Sequence, residues 1–463
     1  MTHRLLHSLV CLLSLASLCS TVMAQPAVDH FTVHEWGSFT VMQDEAGQAI
    51  YGLNADDEDL PYFGQKEENF TMPSTLDHFP GTWRRNVPWC HMGVNLRLDT
   101  AFYSLYAPAS WSRTNTVDLA VDLQGGWPTE SYPKAKRVQP GFPANLSPLS
   151  TGICGWESVK FVSNRHIESS EDPLWLAARN IDTSLLSAPG DSAEKFLSFR
   201  AVSQLEAPVQ VGPVDVAGLR SIRLRIEALP KGTVIEPLWL VDVTQDGLAF
   251  RSLGPLDETG LKQPVEFDAP SHSPNGAREL RKKIKPYLVM AGLFEDEAEA
   301  LLETWKRSHF EAYGTRLFFI TPRAWLDRNF RIRCTEIPDD LDPAQRAKQL
   351  KRVILGRIDL VNPTQRMHLK RLATMPTPDL AGFKERFWTR YREESNSDIY
   401  GKLKMRRASF KEYVERVNLE YPVLYDDYLA LGRFRNALLV NEYTRRRTPN
   451  LQAWIQLEIG NMK

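Results

Sequence analysis

Two carboxylates stand beside the aromatic residues that chemistry on a sugar would require. Glu35 is next to Trp36, and Glu130 lies between Trp127 and Tyr132 in a proline-flanked stretch. A Trp or Tyr ring stacks on the face of a pyranose, while a pair of carboxylates supplies acid and base for glycoside hydrolysis. Eight of the twelve tryptophans precede residue 240, so the stacking rings are concentrated in the same half of the chain. Glu35 and Glu130 are therefore the candidate catalytic pair, and Trp36, Trp127 and Tyr132 the candidate binding residues. The same composition equally suits a β-domain that fills its core with aromatics.

Metal chemistry has two openings. The run Asn54-Ala-Asp-Asp-Glu-Asp59 gathers the carboxylates of Asp56, Asp57 and Asp59 in an irregular stretch. Flexible oxygen-rich loops suit calcium, although the residue order of an EF-hand is absent. His34, with His78 and His91, offers a nitrogen set for zinc. His34 and Glu35 cannot both reach one ion from a strand, because neighbouring side chains point to opposite faces, and position 38 is Ser38 rather than a second histidine. Cys90, Cys154 and Cys334 follow the leading segment. Cys90–Cys154 is the expected disulfide if the chain meets an oxidising compartment, since both lie in the N-terminal half. The chain has no G-x-S-x-G, no P-loop and no G-x-G-x-x-G, so three common enzyme classes lose their sequence support.

The elements that must hold these residues are mostly strands. Phe31–Trp36 alternates and resumes at Phe39 and Val41, and similar runs occur at Val94–Tyr106, Thr116–Leu123, Leu219–Ala228 and Leu238–Val243. Residues 25–270 are expected to form a β-rich, sandwich or barrel-like domain. The turn-rich Ser271–Gly276 marks a change of character. Beyond it Phe294, Ala298, Leu301, Leu302 and Trp305 recur at helical spacing, in a helix that Gly314 can end. Arg316–Ile320 and Val353–Val361 read as strands, completing an α/β segment over 271–361. Residues 362–463 read as helical. The fold class is α+β.

Composition is that of an ordinary globular protein, with 43% hydrophobic and 24% charged residues. The charge is uneven. Residues 340–463 hold 24 basic and 15 acidic side chains, while 25–339 hold 31 and 42. A basic tail of this kind would point to nucleic acid in a cytoplasmic protein. The N-terminus argues against that setting. Arg4 followed by an apolar run from Leu5 to Leu18, then Val22-Met23-Ala24, reads as a signal peptide over 1–24 cleaved after Ala24. The apolar run is too short to span a bilayer, so no transmembrane segment is expected in the mature chain. A periplasmic or extracellular location excludes nucleic acid. It leaves envelope polymers or carbohydrate, lipid head groups, or the acidic half of the same chain as partners for the basic portion.

Phe31-Thr-Val-His-Glu-Trp-Gly-Ser-Phe-Thr40, directly after that leader, resembles the opening of a family of exported bacterial proteins carrying an H-E-W-G-[ST]-F-T motif. Trp127–Pro133, Glu194–Arg200, Gly292–Ala298 and Phe319–Trp325 fit the same resemblance, which runs from about residue 31 to 361. It implies export and a bacterial source, and it brings no activity or site residue with it. The expectation is thus an exported envelope protein acting as a binding or structural module. The alternatives are a secreted glycan hydrolase using Glu35 and Glu130, and a calcium- or zinc-dependent protein.

Overall fold

A computed structural model describes residues 28–54, 92–111, 114–138, 146–163, 167, 173–188, 193–214, 219–225, 229–264, 267–383, 385–386, 389–390, 419–420 and 422–455. The acidic run at Asp56, Asp57 and Asp59, together with His78, Cys90, His91 and the leader 1–24, lies outside the described residues.

The chain builds α+β architecture on one large mixed sheet. In chain order its strands are β1 (Thr32–Gln43), β2 (Leu96–Tyr106), β3 (Thr116–Gln124), β4 (Gly126–Tyr132), β5 (Arg137–Val138), β6 (Thr151–Phe161), β7 (Leu186–Ser187) and β8 (Leu197–Ser203). A small separate sheet takes β9 (Val209–Val214), β10 (Leu219–Leu224) and β13 (Leu261–Pro264). The large sheet resumes with β11 (Leu238–Thr244), β12 (Gly247–Leu253), β14 (Gly314–Ile320), β15 (Phe330–Cys334) and β16 (Leu350–Leu360). Its order is β12-β11-β14-β16-β1-β2-β8-β4-β6-β3-β15, with β5 and β7 pairing β6. The expected boundary at residue 270 does not divide the sheet. β16 lies parallel to β1 at its centre and β14 joins it there, so residues 271–361 complete the β-rich unit.

β1 explains its own position. All twelve of its residues are buried, as a central strand covered on both faces must be. Val33, Phe39 and Val41 face one core, shared with Leu98, Phe199, Leu317, Phe319, Ile354 and Ile358 from neighbouring strands. That face closes on itself. Trp156 of β6 reaches Tyr103 of β2 with ring centroids 6.2 Å apart, and Trp325 lies 5.3 Å from Phe39. Two glycines make the layers fit. A Cβ on Gly37 would stand 2.1 Å from the Thr100 carbonyl oxygen, and one on Gly356 would stand 2.5 Å from the Phe319 ring.

The opposite face carries helices. Trp36, Trp239, Phe318 and Val353 pack under α2 (Gly276–Met290) and α3 (Glu295–Thr304); α1 (Pro173–Arg179) lies against α3. The helix expected to run to Gly314 ends sooner and continues as a π-helical turn, Lys306–Glu311. Two short helices, α4 (Arg323–Asn329) and α5 (Pro343–Gln349), flank β15. The C-terminal helices α6 (Pro363–Thr374), α7 (Tyr425–Leu429), α8 (Arg435–Arg446) and α9 (Pro449–Ile455) form a third apolar cluster with Met42, Val94 and Val202. α6 begins where its sequence says it should: Asn362 and Gln365 cap each other's backbone and Pro363 occupies the first turn.

Candidate functional site

The H-E-W-G-S-F-T strand is tied by side-chain hydrogen bonds to several distant elements. On its helix-facing side, every second residue takes a side-chain partner from outside the strand. His34 Nδ1 lies 2.7 Å from Glu297 Oε2 of α3, and Tyr106 donates to the other oxygen of that carboxylate at 2.8 Å. Trp36 Nε1 donates to Ser104 Oγ at 3.0 Å. Ser38 Oγ lies 2.7 Å from His309 Nε2 on the π-helical turn. Thr40 donates to Asp99 at 2.6 Å, and Arg433, just before α8, closes on the same carboxylate. On the other side Glu35 receives Arg352 Nε at 2.6 Å and the Tyr103 hydroxyl at 2.8 Å.

These pairings decide what the residues can do chemically. Ser38 and His309 have the composition of a nucleophile and its base, but the hydrogen bonds run the wrong way. Arg357 Nη1 can only donate, and it points at His309 Nδ1 from 3.3 Å; the Ser308 hydroxyl, 3.0 Å from the same nitrogen, can donate too, so that nitrogen accepts. The imidazole is fully buried. Burial first, then the charges of Arg357, Arg433 and Arg316, hold it well below its ordinary value and so neutral. Its one proton therefore sits on Nε2 and is donated to Ser38, whose own proton goes to the Leu355 carbonyl at 3.0 Å. A histidine that donates to the serine cannot withdraw a proton from it.

Glu35 is likewise spent. It is 2% exposed and paired with Arg352, whose Nη1 also reaches Asp327 at 2.8 Å. Burial and the neighbouring Glu35 charge push the Tyr103 hydroxyl well above its ordinary range, so it serves as a permanent donor. Glu130 pairs with Arg200 at 3.2 Å. Arg200 neighbours Phe199, which faces the closed core, so Arg200 and its cross-strand partner Glu130 face the helices. Glu35 points into the closed core with Tyr103. The two carboxylates thus lie on opposite faces of the sheet, and the expected acid/base pair is not formed. Trp36 is buried beneath α3, which corrects its assignment as a binding residue. Trp127 packs against the C-terminal helices, and Tyr132 donates its hydroxyl to Glu194 at 3.2 Å. His34 is held by Glu297, and among the described residues no group of three His, Cys, Asp or Glu is arranged to hold a metal. Cys154 is a buried free thiol, pushed up by burial.

The basic C-terminal portion finds much of its counter-charge inside the molecule. Arg352 pairs with Glu35, Arg433 with Asp99, Arg366 with Glu45 at 2.6 Å and Arg445 with Asp44 at 2.8 Å. The acidic half of the chain, one of three partners the sequence left open, is thus what these four cations meet. Arg357 grips Asp359 through two hydrogen bonds of 2.8 Å. Burial raises that carboxyl, but Arg357 and Arg316 outweigh it and hold it below its ordinary value.

Two clefts remain. One, with room for only about 20 Å³, opens between the start of β14 and the α7–α8 turn, and its Arg316, Arg357 and Arg433 belong to the network just described. The other is an open concavity of about 500 Å³ on the outer face of β6, β3 and β15, lined by Arg328, Arg331, Arg333, Asp122, Gln124, Thr151 and Ile153. Arg331 and Arg333 sit at alternate positions of β15, on its solvent side, so their Cα atoms stand about 7 Å apart along the strand. Nothing in the sequence alone marked this face. Its strand carries a period-2 pattern, but α4 and α5 surround it and it pairs with β3, more than 200 residues earlier.

No protein-family profile matches the chain, and no curated protein matches it. Among solved structures, it is similar to the Fcho1 Mu homology domain of Danio rerio with a bound Eps15 peptide, at 8% identity and a TM-score of 0.26, covering 73% of this chain and 97% of that one. A likeness of that size assigns neither a fold family nor a function.

Proposed function

We propose that the chain is an exported binding or structural module of a bacterial cell envelope, with the outer face of β6, β3 and β15 as its contact surface for an anionic polymer. The observation that carries this reading is the concavity of about 500 Å³ with three arginines on its wall. Guanidinium groups recognise carboxylates, sulfates and phosphates through paired donors, and Gln124 and Thr151 add neutral hydrogen-bonding groups alongside. The H-E-W-G-S-F-T strand, in this reading, is the joint that fastens three apolar clusters to one sheet rather than a reaction centre.

The test has two parts. Terminal sequencing of the protein recovered outside the cytoplasm is expected to begin at Gln25; an unprocessed cytoplasmic chain would overturn export. Titration of the mature protein with polygalacturonate, an anionic carbohydrate, is expected to give binding that weakens with salt. The double substitution Arg331→Ala/Arg333→Ala should abolish it while leaving the melting temperature in place. Binding that survives the double substitution would remove this face from consideration.

A further inference from the structure

We infer that the outward face of α2 docks on an anionic lipid surface. Leu280, Ile284 and Leu288 seat the helix on the core beside Trp239. At 100° per residue, the side turned away from them carries Arg278, Glu279, Lys282, Pro286 and Met290, with Lys283 at its edge, where its ammonium lies 5.9 Å from the centre of the Phe250 ring; all six are exposed. The face is ordered along its length. Its first two turns hold the cations Arg278, Lys282 and Lys283 against the lone carboxylate of Glu279. Among the described residues, none of these three cations has a carboxylate within ion-pair distance. Arg281 and Lys285, on the flanks, do: Arg281 meets Glu303, and Lys285 meets Glu299 at 3.1 Å.

The last turn is apolar and open to water. Met290 is 79% exposed and Tyr287 is 38% exposed, with Pro286 between the cations and Met290. Tyr287 is held in place from beneath by Trp239, 5.7 Å away and edge to face. A large apolar side chain left in water next to cations that meet no carboxylate among the described residues fits a lipid boundary, where the cations meet phosphates and the apolar tip enters the acyl region. Free phosphate would satisfy the cations but leave Met290 without a partner, and a strand of nucleic acid would do the same. α2 packs on β12, at one end of the strand order, whereas the arginine face is at the other end, so the two surfaces are separate.

The experiment is co-sedimentation of the full-length mature protein with phosphatidylcholine vesicles that contain phosphatidylglycerol, against vesicles of phosphatidylcholine alone. Binding to the anionic vesicles only, weakened by added salt, is expected. Lys282→Glu/Lys283→Glu should lower the affinity by more than tenfold, at about fivefold for each basic residue near the surface. Met290→Asp should lower it several-fold at low salt as well. Both variants alter exposed side chains, so an unchanged melting curve confirms that they fold. Equal binding to both kinds of vesicle, or none, would overturn the inference. So would wild-type affinity in Lys282→Glu/Lys283→Glu, or a loss confined to Arg331→Ala/Arg333→Ala. Wild-type affinity in Met290→Asp would overturn insertion of the apolar turn.

Discussion

Strands β1 and β15 both carry titratable side chains among apolar ones, yet the charges serve opposite ends. In β1, His34 and Glu35 are sealed in the core, each against a partner from a distant element. In β15, Arg331 and Arg333 face outward and make only rim contacts, with Asp339 and Asp122. The difference is where the strand sits. β1 has β16 on one edge and β2 on the other, with packed layers on both faces, whereas β15 ends the sheet with one face open. A buried charge must be paired because its desolvation is costly, so it specifies one arrangement of its surroundings. An exposed charge in water costs little to leave alone and remains available to a partner.

The largest expected effect breaks a β1 pair. Arg352→Met leaves Glu35 buried without its cation and should cost about 3–5 kcal/mol in denaturant unfolding. Combining it with Glu35→Leu should recover much of that loss, because the pair is replaced by apolar packing of similar volume. If Arg352→Met costs no more than Arg331→Ala, burial is not what separates the two strands.

Next comes Gly37→Ala. The added methyl would meet the Thr100 carbonyl at 2.1 Å, so β1 and β2 must part. A loss of about 1–3 kcal/mol is expected from overpacking alone. A melting temperature equal to that of the wild type would show that the close approach of these strands is not what fixes their register.

A pH titration sharpens the comparison further. His309 is neutral in the folded protein, with its proton affinity held down by burial and by Arg357, Arg433 and Arg316. The unfolded chain takes up a proton near pH 6.5 that the folded chain refuses. The stability is therefore fully present above that pH and falls as the pH drops below it, by up to about 1.4 kcal/mol per unit. His309→Gln removes the titrating group and should flatten that limb between about pH 6.5 and 5 relative to wild type. An unchanged slope would mean that another group controls it.

The smallest effect belongs to the outer strand. Arg331→Ala should change stability by no more than about 0.5 kcal/mol, since exposed pairs contribute little. A loss several times larger would show that β15 needs its arginines to stay in the sheet.

Much of the fold was legible. Alternation located β1, β2, β3, β11, β14 and β16 to within a few residues, and the turn at Ser271–Gly276 marked the start of the helical layer. Period-2 patterning and turn chemistry are local, so a sequence displays them openly. β4, β6, β8, β9, β12, β13, β15 and the π-helical turn were not seen. β15 is five residues long, too short to establish a period. The turn at Lys306–Glu311 follows α3 directly and shares its helical spacing, while its widened geometry serves contacts made far away, at Ser38 and Arg357.

The candidate residues divide in the same way. That His34 and Glu35 must point apart was settled by strand geometry alone, and the structure keeps them apart. Which of them meets a carboxylate and which an arginine was not. Arg352 stands 317 residues from Glu35, and Glu297 stands 263 from His34. Alternation says only that neighbours face opposite ways. Which face is closed, and which distant side chain waits there, is decided when β16 and α3 are brought against β1. The reason is physical: patterning is written in the spacing along the chain, whereas desolvation and pairing depend on what the fold places within a few ångströms.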